Sequence, residues 1–312
     1  MSRLLREHAG EQAGFWVRYA PRRWPFPDTP WIDLASGTLG GELEPDPGAL
    51  AALRGERLDG VLYLPPVPRE LAPARDALAA AHAARGTPVL VQLLPGDPPI
   101  ASPEPVVAVW DLLPFALGRG VGVALGPGAA AAWPLLPGTA EEGTLAEAIA
   151  AVAAAGIGAL QGVALELAPH QRRALGAELS ERRYLALFHG APPSAAPVVR
   201  AAWAAGLEPL LPRPLPGPPL RGSGNAALAG ELAALGELCL RLGEPEPRAQ
   251  GLLRAARFVE RAGHDLAALA RDGNLGVLPW LEGEPRRVVE ELLGGAQPTL
   301  RGELRGGVPA RG

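Results

Sequence analysis

Residues 156–213 read GIGALQGVALEL, APHQRRALGAELSERR, YLALFHG, APPSAAPVVRAAWAAG, LEPLLPR, an alternation of short apolar runs with segments of helical pattern. The runs at 160–167 and 184–188 are almost continuously apolar and of strand length, as strands covered on both faces must be. Pro169 suits a first helical turn, where its missing N–H has no intrahelical partner to lose. Ala195, Val198, Val199, Ala202 and Trp203 recur at i, i+3, i+4, i+7 and i+8, which predicts one apolar stripe on a helix. Ser194 is placed to cap that helix, and Gly206 to take the left-handed turn that ends it. Strands joined through helices by short loops need crossover connections, so they run parallel. The chain is therefore of the α/β class.

The N-terminal half repeats this unit more loosely. Strands are expected at 31–35, 60–64, 88–94, 105–110, 121–125 and 131–136, and with 160–167, 184–188 and 207–213 they make nine candidates. A closed barrel needs eight, so one is surplus; a partial barrel or an open sheet would use fewer. Units of about 25 to 30 residues favour the (β/α) barrel family. Between the strands, 69–85 reads as a helix with Leu71, Ala74, Leu78 and Ala81 inward. Thr144 and Glu147 have the spacing of a capping box at the start of another.

Proline and glycine crowd into 213–224, RPLPGPPLRGSG, without periodicity, and the character of the chain changes there. Beyond it Leu228, Leu232, Leu235, Cys239 and Leu242 are spaced 4, 3, 4, 3, a helix-packing seam. Further helices are expected at 247–262 and 264–271 and after Pro285. The expected organisation is an irregular aromatic and basic arm at 1–30, a barrel-like domain at 31–212, a linker at 213–224, a helical unit at 225–294 and a frayed tail at 295–312.

Composition narrows the chemistry. All 29 basic residues are arginine, as a GC-rich genome would favour, and the net charge of −4 gives no global attraction to nucleic acid. No run approaches the ~18 apolar residues of a membrane span, and the N-terminus lacks a secretory core, so a cytoplasmic chain without a membrane partner is expected. The single cysteine, Cys239, forms no internal disulfide and sits in a helical seam as a buried thiol. The five histidines (His8, His82, His170, His189, His264) show no ligand spacing, so neither a metal nor a cofactor is expected.

In parallel βα architectures the reacting groups sit at the carboxyl ends of strands, where loops vary without disturbing the core. Reading those positions gives Gln92, Asp111, Glu166, His189 and Arg213. Two carboxylates and an imidazole, Asp111, Glu166 and His189, could share acid–base work if they converge; each alone could equally be a strand-end cap or a turn residue. Gln92 and Arg213 would then contact the ligand. Gly126 and Gly128 could present amides to a phosphate, although a tight turn explains them as well. Arg254, Arg257 and Arg261 form a basic stripe at i, i+3, i+7, read as a solvated face.

Gly40, Gly41 and Glu42, followed by a proline-bearing helical segment, resemble the GGE element of radical-SAM barrels. The sequence 135–139, LLPGT, is similar to a turn of that group. The resemblance spans 31–212 and implies that Gly40, Gly41 and Glu42 would hold the amino end of a nucleoside cofactor. The three cluster-binding cysteines of that family are absent. Two functional readings follow. One is a small-molecule binder or metal-independent enzyme with its site at the carboxyl-end rim. The other is a non-catalytic, cluster-less barrel relative that binds a protein partner through the helical unit; nucleic acid is the disfavoured partner.

Overall fold

A computed structural model describes residues 31–33, 38–39, 61–64, 72–93, 95–97, 100, 106–116, 125–126, 128–135, 142–164, 181, 185, 193–212 and 224–306. Its centre is a seven-stranded sheet of β1 (Trp31–Asp33), β2 (Thr38–Leu39), β3 (Val61–Leu64), β4 (Val89–Leu93), β5 (Val106–Asp111), β6 (Ala130–Leu135) and β7 (Leu160–Ala164). The spatial order is β2-β1-β3-β4-β5-β6-β7. Every pair from β1–β3 through β6–β7 is parallel, and only β2 runs antiparallel, at the edge beside β1. The α/β class is thus present, with an open sheet: β2 and β7 are its edges among the described residues.

Helices α1 (Ala72–Ala83), α2 (Leu113–Ala116), α3 (Glu142–Ala154) and α4 (Ala196–Ala204) accompany the sheet. Strand parity assigns the two faces distinct roles. One face carries Val89, Val91, Leu93, Val106, Ala108, Trp110, Ala131, Trp133 and Leu160, all buried. Helix α4 covers this side at β7: a Cβ on Gly162 would meet Val198 of α4 at 3.3 Å.

Helix α4 has apolar residues on two sides rather than one. Val198 and Ala202 join the core of the sheet, whereas Val199 and Trp203 join a second core built by the C-terminal helices. Ser194 Oγ accepts from Ala196 N at 3.2 Å, and Gly206 adopts φ 79°, so both expected ends are in place.

The second core belongs to α5 (Asn225–Leu242), α6 (Glu246–Arg261), α7 (Leu266–Arg271), α8 (Gly283–Leu293) and α9 (Thr299–Arg305). The 4, 3, 4, 3 seam of α5 is buried through Leu228, Leu232, Leu235 and Cys239. Helices α5 and α6 approach closely at Gly236, where an added Cβ would lie 2.8 Å from Leu253 Cγ and 3.1 Å from the Ala249 carbonyl. Asn225 ties the start of α5 to the turn before α7: its amide donates to His264 O at 2.7 Å and accepts from Leu266 N at 3.1 Å. Arg248 of α6 makes a bidentate contact with Glu284 at 2.8 and 2.9 Å and also reaches Glu244 and Glu303. One guanidinium fork therefore joins α6, α8, α9 and the turn after α5.

Several expectations are corrected. Leu185, inside the run read as a strand at 184–188, is helical and 46% exposed. A short apolar run without alternation suits either state, and at Leu185 the helix prevails; 184 and 186–188 lie outside the described residues. The strand expected at 207–213 is reduced to one parallel bridge, Ala159 to Glu208, because Pro209 and Pro212 supply no ladder donors. Of 121–125 only Leu125 is described, and it is buried outside any strand. Helix α3 is already under way at Glu142, so Thr144 lies inside its first turn and does not cap it.

On α1 the buried positions are Ala72, Arg75, Ala79 and His82, one position along from the stripe expected; Leu78 and Ala81 are only half-buried. The tail expected to fray from 295 instead contains α9, held by buried Leu300 and Leu304. The glycine-rich stretch after β1 contributes Thr38 and Leu39 to β2. The arm at 1–30 and the linker, save Gly224, lie outside the described residues.

Two glycines of α5 should respond oppositely to alanine. Gly236→Ala forces α5 and α6 apart and should cost about 1–3 kcal/mol. Gly230→Ala meets nothing within 4 Å and should gain about 0.5 kcal/mol of helix propensity. Urea denaturation of both variants checks the pair of signs. A second expectation concerns pH. Arg248 holds the Glu284 carboxyl below its ordinary 4.5. A lowered carboxyl stabilises the fold above its unfolded-state value and ceases to do so as the pH drops through its folded-state value. Wild type should exceed Glu284→Gln by about 1 kcal/mol at neutral pH, and the gap should close below about pH 4.

Candidate functional site

The face of the sheet opposite that of Trp110, Trp133 and Gly162 collects the polar strand residues. Gln92 on β4, Asp111 on β5 and Gln161 on β7 share it with Leu90, Val107, Val109, Ala130, Ala132 and Val163. Polar side chains on one parity of otherwise apolar strands need a hydrogen-bonding reason to be there.

At the carboxyl end of the sheet that reason is visible. Gln92 is the fourth residue of β4, and Asp111 is the last of β5, the strand beside it. Gln92 Nε2 donates to Asp111 Oδ2 at 2.7 Å, and both residues are 0% exposed. Gln92 lies opposite Val109, so Asp111 sits one pleat further toward the carboxyl end. A buried carboxylate with a neutral amide donor is an acceptor for hydroxyl or amine groups, and a base if a substrate presents a proton.

Gln161 was not foreseen from the sequence. It lies level with Asp111, through Ala132 of the intervening β6, at about 10 Å by strand spacing. Its Oε1 accepts from Leu211 N at 2.7 Å, so it fastens the 207–211 segment beside β7. Gln92, Asp111 and Gln161 are separable from their apolar neighbours by i, i+2 parity alone, and that was the available signal.

Arg75 is a second group the sequence did not single out. It lies in the first turns of α1, at the carboxyl end of the sheet, where NH1 approaches Asp97 Oδ2 at 3.9 Å beyond the end of β4. Its Nε donates to Asp76 Oδ1 at 2.9 Å, while NH1 and NH2 make no hydrogen bond. Two aspartates beside one buried guanidinium neutralise it, which makes Arg75 a strut for the loop after β4 rather than an anion receptor.

His82 occupies the far end of α1, remote from Gln92 and Asp111, and accepts Thr87 N at its carbonyl. Burial, and secondarily Arg85, lower its imidazole below the ordinary 6.5, so it is neutral at pH 7. Cys239 is buried, and burial raises its thiol to about 11, an inert state. Gly128 has a packing role: a Cβ there would meet Trp110 Nε1 at 2.6 Å.

Of the residues chosen from the sequence, the structure brings together Gln92 and Asp111. Glu166, His189, Arg213, Gly40, Gly41 and Glu42 lie outside the described residues. Among the described residues no three of His, Cys, Asp and Glu gather in a metal-binding group. No helix among them is long and apolar enough to cross a membrane.

Removing the acceptor should expose the character of the pair. Asp111→Ala removes the acceptor of a buried Gln92 N–H and should cost about 2–3 kcal/mol, whereas Asp111→Asn keeps an oxygen of the same shape and should cost less than about 1.5 kcal/mol. Chemical denaturation of the two variants reads the difference.

No family model, characterised protein or solved structure matches the chain, so the reading of the site rests on its own chemistry.

Proposed function

We propose that the chain binds a small polar molecule at the carboxyl ends of its parallel strands, on the face that carries Gln92 and Asp111. The observation that carries this reading is the fully buried Gln92–Asp111 hydrogen bond, set at two adjoining strand ends on the one polar face of the sheet. Asp111 would be the acceptor or base, Gln92 would orient it, and Glu166 and His189 would complete an acid–base set. Chemistry without a metal is part of the proposal.

We also infer a curled, partial barrel. Each strand from β3 to β7 lies beside its predecessor in sequence, and right-handed crossovers taken always in one direction put all helices on one face. The polar face would then be the inner one, as it is in barrels. A cytoplasmic location fits this reading.

One observation favours the second reading, a non-catalytic and cluster-less relative of the radical-SAM barrels serving as an accessory protein. Several strands end on apolar residues, namely Leu64, Leu93, Leu135 and Ala164, which leaves few polar groups at the rim.

A thermal-shift screen of polar metabolites, spanning carboxylates, phosphates and sugars, separates the two. The expected result is a compound that stabilises the wild type and binds at least about tenfold more weakly to Asp111→Asn and Gln92→Met, both still folded. A compound indifferent to both variants, or none in any class, would overturn the proposal and leave the pair a structural one.

A further inference from the structure

The arginines of the helical unit divide into two groups. Arg241, Arg248, Arg286, Arg287 and Arg301 are each ion-paired with a glutamate. On the outer face of α6, Arg254 and Arg257 are exposed, and among the described residues neither has a hydrogen-bonded or ion-paired carboxylate. Arg261, a turn further on, continues the row. Helical geometry spreads the three over about 10 Å on one side, with Glu260 on the shoulder about 100° away.

An exposed aromatic lies within this row. Phe258 is 44% exposed, and its ring stands 5.4 Å from that of Trp280, tilted by 32°. Val277, three residues before Trp280, is 64% exposed. Exposed apolar groups near Arg254 and Arg257 form a surface that gains from covering on both counts: area leaves water, and each of these two guanidinium groups finds a carboxylate.

We propose that this face of α6 docks an acidic peptide segment of a partner protein, with an apolar side chain of that segment seated against Phe258 and Trp280. Charge complementarity selects the partner: Arg254 and Arg257, three residues apart on one helix face, match carboxylates repeated at three or four residues. Nucleic acid fits less well. The chain carries a net charge of −4, and Phe258 and Trp280 spend their ring surfaces on each other rather than offering an open platform to a base. The proposal is independent of the site on the sheet.

The test uses the full chain and a fluorescent peptide of about 12 residues, rich in glutamate, with two leucines one helical turn apart. Anisotropy is read at about 50 and about 300 mM salt. The double charge reversal Arg254→Glu/Arg257→Glu, and separately Phe258→Ser, should each weaken binding at least about tenfold with the melting temperature little changed. Arg271→Glu/Arg305→Glu alters the net charge equally on the same unit and should cost less than about threefold. Replacing the peptide's leucines by serine should match the loss from Phe258→Ser. Equal losses from both double variants would show a merely global charge effect and overturn the proposal. So would an absence of peptide binding, tighter binding of an oligothymidylate of the same length, or a dimer that the Arg254/Arg257 variant dissociates.

Discussion

A parallel sheet cannot simply stop: its last strand offers every second N–H and C=O to whatever lies beyond. In this chain β7 is that strand, and the way its outer edge is satisfied shapes everything after residue 164. Leu160 N donates to Glu208 O, and Glu208 N returns a bond to Gly158 O, which gives one rung of a further strand. Two prolines prevent a longer ladder. The next outward group, the Gly162 carbonyl, takes Arg241 NH1 from α5, while Glu237 holds the same guanidinium at 2.6 Å. Arg301 of α9 then reaches Glu208 at 3.2 Å. Helices thus stand where another strand would have continued the sheet, which is why the helical unit packs on this edge and the sheet stays open.

The same logic sorts the two faces. Helices need a wholly apolar surface, and the parity containing Trp110, Trp133 and Leu160 provides it. The other parity is free to carry polarity at the carboxyl ends, provided each group is hydrogen-bonded. Gln92 with Asp111, and Gln161 with the Leu211 amide, meet that condition in different ways. The first pair joins two strands through a side-chain hydrogen bond. The second is anchored to backbone and belongs to the edge. This distinction makes Asp111 the centre of the candidate site and Gln161 part of its frame.

Much of the fold was legible because strand length and apolar continuity depend on few neighbours. β3, β4, β5, β6 and β7 fall within a residue or two of where local pattern places their starts, and the α5 seam is buried as its spacing requires. What failed depended on distant context. Leu185 reads as strand or helix with equal justice, and Glu208 is limited to one rung by prolines that flank it. On α1 the inward stripe includes Arg75 and His82, polar types that a hydrophobicity pattern sends outward; only their partners, Asp76 and Asp97 for the arginine, allow the burial. The tail looked too polar to fold, yet Leu300 and Leu304, one turn apart, suffice once α5 offers them a groove. For the site, Gln92 and Asp111 were legible as strand ends, but their contact was not, because adjacency of β4 and β5 is a property of the sheet.

Arginine makes the limit of local reading clearest. Arg248 and Arg257 stand nine residues apart on α6, in the same helix, with the same charge. Arg248 faces the ends of α8 and α9, where Glu284 and Glu303 converge, and it is bound by both. Arg257 is exposed and meets no acid among the described residues. In a chain without lysine, every cation has the planar fork that suits carboxylates, so residue type cannot separate a structural clamp from a binding surface. The difference lies in whether the fold itself supplies the acid. Where it does, the guanidinium holds helices together; where it does not, the guanidinium stays in water, and its fork is left open to an acid from outside the fold.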